Sequence, residues 1–146
     1  MVAKTTHRQR SGCPIACSLD ILGDHWSLLI VRNLLFLGVH EYKDMLAKEE
    51  QISSSILSDR LKKLTQEGLI AAHHHHAGGR RKLYYLTPMG KDLIHILTAM
   101  IIWADRYLSE WLAIPPAQKK LLNRDPDAFI AMTLERLATW EKENLR

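Results

Sequence analysis

The chain has 146 residues, a formal net charge of +4, and 47% hydrophobic against 25% charged residues. That length suits one domain with its own core, and the composition is ordinary for a globular protein rich in helix formers. The modest positive charge permits nucleic-acid binding without requiring it. No apolar run approaches a membrane span, because residues 28–31 are followed by Arg32 and residues 99–104 are too few. The N-terminal residues carry charge but no apolar leader stretch, so the two cysteines are expected as free thiols in a reducing cytoplasm. No internal repeat is visible.

In chain order, residues 1–12 read as a flexible basic arm, with Lys4, Arg8 and Arg10 and no acid. Pro14 suits a first helical turn, and residues 15–22 form a short helix ending at Gly23. Asp24 can cap a second helix over residues 25–37, whose Trp26, Leu29, Ile30 and Leu34 are core candidates. Residues 40–50 make a short helix with Tyr42, Met45 and Leu46 on its apolar side. Gln51 and Ile52 make a tight connection, and Ser53 or Ser54 can cap the next helix. Two short helices joined by so small a turn have the form of a helix-turn-helix.

In that second helix Leu57, Leu61 and Leu64 share one face and Ser55, Ser58, Asp59 and Lys62 the other. Small hydroxyls beside a cation suit a nucleic-acid groove, although an ordinary amphipathic surface helix has the same pattern. Gly68 is placed to close the helix in a left-handed conformation. Residues 69–76 and 81–86 read as strands, and Ala77, Gly78 and Gly79 between them as a hairpin turn. A hairpin directly after such a helix is a wing, and Arg80, Arg81 and Lys82 at its tip suit DNA backbone or minor groove. Between residues 53 and 91 seven cations (Arg60, Lys62, Lys63, Arg80, Arg81, Lys82, Lys91) face two acids, Asp59 and Glu67. Between residues 41 and 50 the acids outnumber the bases.

Thr87 and Pro88 start a long helix, expected to run to about residue 112. Leu93, Ile96, Leu97, Met100, Ala104, Tyr107 and Trp111 mark one apolar stripe. Ile94, Ile101, Ile102 and Leu108 widen it, so the helix must be covered on more than one side. A second subunit is one cover, with Ile94, Ile101, Ile102, Leu108 and Trp111 as the expected dimer contacts. The C-terminal segment is the other. Pro115 and Pro116 break the helix, a turn or two follows over residues 117–123, and Asp125 with Pro126 starts a last helix over residues 127–144. The fold class expected is mainly α with a small β-hairpin wing: a winged helix-turn-helix with additional terminal helices for dimerisation. Its parts are a basic arm (1–12), the winged domain with a long dimerisation helix of about 88–112 (13–112), and a C-terminal helical extension (113–146).

The ordered residues Cys13-Pro14-Ile15, Leu22-Gly23, Trp26, Leu28-Leu29-Ile30, Gly38 and Tyr42 belong to a recognisable pattern. It continues through Ile52-Ser53, Leu57, Arg60-Leu61-Lys62, Leu64, Gly68-Leu69-Ile70, Arg81, Tyr84, Leu86-Thr87 and Gly90. Over about residues 13–112 the chain resembles the HxlR-type transcriptional regulators, a winged helix-turn-helix family of the MarR-related group. The resemblance implies a cytoplasmic homodimer that binds a palindromic operator in double-stranded DNA, commonly as a repressor. It implies that Ser53, Ser54, Ser55, Ser58 and Lys62 face the groove, with Arg60, Lys63, Arg80, Arg81 and Lys82 near phosphates or minor groove. Arg60 lies nearer the inward side, so an internal ion pair competes for it. Tyr42 stands where the family usually has Phe. Asp59 and the wing, with its four histidines and Gly-Gly-Arg-Arg-Lys tip, also depart from the family pattern.

Some relatives sense oxidants or electrophiles through a cysteine at the position of Cys13. That makes Cys13, with Cys17 one turn on, a candidate redox site, against the reading of two small buried residues. A small-molecule or oxidant effector is compatible with the resemblance but not identified by it. His73, His74, His75 and His76 alternate faces in a strand, so at most two could share an ion in one chain, and no metal site or cofactor is expected. A nucleophile with a positioned base, a phosphate-binding glycine loop and a paired carboxylate motif are all missing, so the chain is not expected to be an enzyme. The rival is a winged-helix protein-interaction module that does not bind DNA.

Overall fold

The computed structural model describes residues 6–74 and 81–146. The helices are α1 (Pro14–Leu22), α2 (Ser27–Leu35), α3 (Tyr42–Leu46), α4 (Ser54–Gln66), α5 (Pro88–Lys91), α6 (Ile94–Tyr107), α7 (Pro116–Arg124) and α8 (Pro126–Asn144). Strands β1 (Ile70–His74) and β2 (Lys82–Leu86) lie between α4 and α5. They pair antiparallel, with Ile70 opposite Leu86 and His74 opposite Lys82. The expected turn at Ala77, Gly78 and Gly79 lies outside the described residues, as do His75, His76 and Arg80. No single helix among the described residues is long and apolar enough to cross a membrane.

One core joins Ile30, Val31, Leu34 and Leu35 of α2 to Leu57, Leu61 and Leu64 of α4, Ile70 and Leu86 of the hairpin, Ile94 and Leu97 of α6, and Leu137 of α8. Each such side chain removed from water contributes roughly 1.5–3 kcal/mol before conformational entropy is subtracted. Residues 113–146 therefore complete the core of the winged domain rather than hang from it. Trp140 of α8 stacks on the buried His40 ring at 3.4 Å and 9°. His40 in turn pairs with β2: its carbonyl accepts from Tyr84 N at 2.9 Å, and its Nδ1 donates to Tyr84 O at 2.8 Å. Burial lowers the His40 pKa against the opposing effects of that bond and of Glu141, which favours the neutral ring required by the apolar stack.

The end of α4 follows its sequence. Gly68 takes φ +81°, its N–H bonds Thr65 O, and Leu69 N bonds Leu64 O, which together occupy the last carbonyls of the helix. Gly90 has a different reason to be glycine, since a Cβ there would lie 2.1 Å from Leu69 O. That close approach seats α5 on the start of the hairpin.

Three expectations change. The long helix over 88–112 is interrupted: Thr87 Oγ1 caps α5, the chain turns at Asp92 and Leu93, and α6 gives way to a 3-10 turn at Ser109–Trp111. The stretch from Thr6 onward is not a loose arm. His7 and Arg8 backbone N–H groups bond the Asp20 carboxylate at 2.9 and 3.2 Å, and Arg8 lies 3.5 Å from Glu67.

The third change concerns which side of α6 looks inward. Ile94 is fully buried inside the protomer and unavailable to a partner. Ile101 is half-buried against the α7–α8 side, where it lines a cleft with Leu122 and Phe129, and Ile102 is also half-buried. The exposed apolar stripe is instead Ile96, Met100, Trp103 and Tyr107, continued by Leu108 and by Trp111 at 73% exposure. Ile15 and Leu19 of α1 are exposed as well, and α1 and the start of α6 border one cleft through Ser18, Ile21, Leu93 and Ile96.

Candidate nucleic-acid interface

α3 and α4 meet through a turn in which Gln51 adopts a left-handed φ of 59° and Ser53 caps α4, its Oγ accepting from Ile56 N at 3.3 Å. The left-handed residue costs about 1 kcal/mol, offset by the surrounding bonds that fix the turn. Tyr42 on α3 locks the pair. Its hydroxyl donates to Ser54 O at 3.0 Å and lies 3.0 Å from Ser58 Oγ, which then donates to it. A Phe at this position would leave both groups to solvent.

The inner face of α4 buries Leu57, Leu61 and Leu64 as the periodicity predicts. Ser53, Ser54, Ser55, Ser58, Asp59 and Lys62 are exposed. The flank carries a separate device that sequence reasoning only partly saw. Arg60 Nε donates to Asp24 Oδ1 at 3.0 Å, and its guanidinium also meets Asp59. Asp24 accepts from Trp26 N at 2.8 Å, from Ser27 N at 2.9 Å and from the Ser27 hydroxyl. Partial burial alone would raise the Asp24 carboxyl. The Ser27 hydroxyl, the two N–H groups and Arg60 outweigh it and hold the pKa at about 2. The helix starts two residues later than expected, with Trp26 at its N-cap, and Asp24 serves the Trp26 and Ser27 N–H groups from ahead of it while also anchoring α4. Lys63 Nζ donates to Asp20 O at 2.9 Å, so it too is engaged with α1. Of the two roles open to Arg60, the internal ion pair is the one present, and Lys63 shares that anchoring role rather than standing free for phosphate.

On the wing, Arg81 pairs with Glu41 at 2.8 Å, tying β2 to the start of α3, and Lys82 Nζ sits 5.2 Å from the centre of the Tyr84 ring. Lys62 makes no ion pair among the described residues. Tyr42, Ser58, Lys62, Lys82 and Tyr84 line an open cleft of about 350 Å³ between α4 and the hairpin. Sequence reasoning missed Asp20 and Glu41 as partners of these cations, because they lie 43 and 40 residues away along the chain.

Cys13 is exposed at the N-cap of α1, and Cys17 is partly buried with its Sγ 3.4 Å from Ser11 O. Both thiols are free. Among the described residues no cluster of three or more His, Cys, Asp or Glu is arranged to hold a metal ion.

A short helix, a tight turn, an amphipathic helix and an antiparallel hairpin in this order are accompanied by a sequence match over residues 21–111 to the HxlR-like helix-turn-helix family. The chain belongs to that family. Rv3095, an HTH-type transcriptional regulator of Mycobacterium tuberculosis, is 33% identical over 107 residues, which cover 73% of this chain and 66% of that relative. The chain thus spans just under two thirds of the length of that relative. The structure of PA1607, described as a candidate transcription factor, superposes with a TM-score of 0.63 at 31% identity, covering 74% of this chain and 72% of that one. Reduced YodB of Bacillus subtilis, a transcriptional regulator, superposes with a TM-score of 0.56 at 26% identity, covering 66% of this chain and 95% of that one. The HxlR-family chain accordingly has the winged helix-turn-helix fold that its transcription-regulator relatives share. The family match ends at residue 111, before α7 and α8.

Proposed function

We propose that this HxlR-family regulator is a cytoplasmic, sequence-specific DNA-binding protein that acts as a homodimer on a palindromic operator, as a repressor by occlusion. The observation that carries the reading is the outward side of α4. Ser54, Ser55 and Lys62 are exposed on a helix held rigidly by Tyr42, Arg60 and Lys63, with Lys82 across an open cleft. Small hydroxyls admit the helix to a major groove, and unpaired lysines neutralise phosphate. Arg81 and Arg80, the latter by its place in the sequence alone, are assigned to the flanking backbone. The dimer contact is assigned to the exposed stripe of α6 with Ile15 and Leu19 of α1. So large an apolar surface is unusual on a monomer. Two copies related by a two-fold axis would present two reading helices to two half-sites.

Cys13 is assigned as an oxidant- or electrophile-responsive site. Its thiol is exposed at a helix start beside the proposed dimer face, and YodB has been captured in reduced, quinone-bound and diamide-treated forms.

One titration tests these assignments: fluorescence anisotropy of a duplex from upstream of the regulator's own gene against a scrambled duplex, over a salt series. Expected is a sequence-dependent complex whose affinity falls steeply with salt, and a Lys62→Ala protein whose salt slope is smaller by about one. Treatment with diamide should weaken the wild-type complex and leave that of Cys13→Ser unchanged. An equal response of both proteins removes the cysteine assignment. No binding to either duplex at low salt favours the protein-interaction reading.

A further inference from the structure

The C-terminal helices, which lie beyond the family match, help to line a second feature, to which α4 contributes no residue. The end of α2, the middle of α6 and the α7–α8 pair enclose an open cleft of about 660 Å³. This is within the roughly 300–1,000 Å³ usual for small-molecule sites. Phe36, Leu37, Ile101, Leu122, Phe129 and Met132 give it apolar walls, with the Phe36 and Phe129 ring centres 5.7 Å apart. Among the described residues two cations and no carboxylate line it.

The two cations are not equivalent. Arg32 is neutralised, donating to both Glu50 oxygens at 2.9 and 2.8 Å and to Asn33 Oδ1 at 2.8 Å. Arg136 donates one long bond, 3.4 Å, to Phe36 O and has no acidic partner among the described residues. An apolar slot with an unneutralised guanidinium at its edge is complementary to a molecule with an apolar body and one negative end.

We propose that this cleft binds small organic anions with an aromatic or short aliphatic body, the carboxylate resting on Arg136 and the body on Phe36, Ile101 and Phe129. The site has a direct line to the helix-turn-helix. Arg32 lines the cleft and holds Glu50, the residue before the left-handed Gln51 of the turn. The negative end bound in the cleft that Arg32 also lines draws that guanidinium away from Glu50 and loosens the turn. This regulatory consequence rests on the DNA-binding reading, whereas the binding site does not.

The test is therefore done without DNA, by calorimetric titration of the full chain with 4-phenylbutyrate and with its neutral amide. Expected is saturable binding of the anion at one molecule per protomer. Arg136→Gln should weaken the anion by about tenfold or more while leaving the amide unchanged. Met132→Trp, at the exposed rim, should abolish binding of both. Circular dichroism identical to wild type keeps both variants interpretable. The proposal is overturned by absence of saturable 4-phenylbutyrate binding, or by binding that neither substitution alters, which would place the molecule on the outer α6 face. A Met132→Trp protein that turns monomeric would overturn it too, because the cleft would then be occupied by a second copy. Either failure leaves the DNA titration unaffected, and failure of the DNA titration leaves this one unaffected.

Discussion

Helices α4 and α6 have the same kind of inner side and opposite outer sides. Each buries an aliphatic row against the common core, Leu57, Leu61 and Leu64 in one and Ile94 and Leu97 in the other. The outer side of α4 is serine, aspartate and lysine, whereas that of α6 is Ile96, Met100, Trp103 and Tyr107. A polar outer side can remain in water until a charged partner arrives, at little cost to the free protein. An apolar outer side of that size gains by being covered continuously. Under the proposed function the two outer sides address partners of opposite chemistry, one polyanionic and transient, the other apolar and lasting.

The largest effect that could break this comparison is on α6. Trp103→Glu places a charge in the middle of the exposed apolar stripe without touching the core. It should weaken self-association by about a hundredfold or more, read as a shift from dimer to monomer in sedimentation, with helix content unchanged. A variant that still sediments as a dimer would assign the contact elsewhere.

A smaller effect sharpens the α4 side, where cations divide into anchors and free groups. Asp24→Ala removes the acceptor of the Trp26 and Ser27 N–H groups at the start of α2 and the partner of Arg60, and should cost about 2 kcal/mol in urea denaturation. The Asp24 carboxyl is held at about 2 in the fold, below the roughly 3.9 of an unfolded chain, so its contribution is complete above about pH 5 and fades as the pH falls from 4 toward 2. The stability gap between wild type and variant should narrow over that window. A gap independent of pH would mean that the carboxylate charge is not its source.

The smallest effect concerns the lock between α3 and α4. Tyr42→Phe deletes the hydroxyl that joins Ser54 O and Ser58 Oγ, and should cost about 1 kcal/mol in the same denaturation experiment, with the m-value unchanged. No loss of stability would mean that water serves both serine groups equally well.

Much of the fold was legible because its signals are local. Ser53, Thr87 and Asp125 accept from the first turns of their helices, Gly68 closes α4, and residues 70–74 and 82–86 pair as the wing. The candidate site was legible in part. Which residues of α4 turn outward follows from 3.6-residue spacing. Which cations on it are free does not, because Asp20 and Asp24 become neighbours of Lys63 and Arg60 only when α1 and α2 pack on α4. The His40–Trp140 stack joins residues a hundred positions apart, with no pattern linking them along the chain.

By itself the sequence determined the family, the order of elements, the caps and the amphipathic division of α4, since propensity, capping and helical period act between residues a few positions apart. Tertiary structure alone decided that α6 turns Ile94 and Ile101 toward its own protomer and Trp103 toward solvent, and that α8 closes the core through Leu137. A helix that is apolar on two sides carries no local record of which side its own chain will cover. That choice is made by how α2 and α8 fit against it.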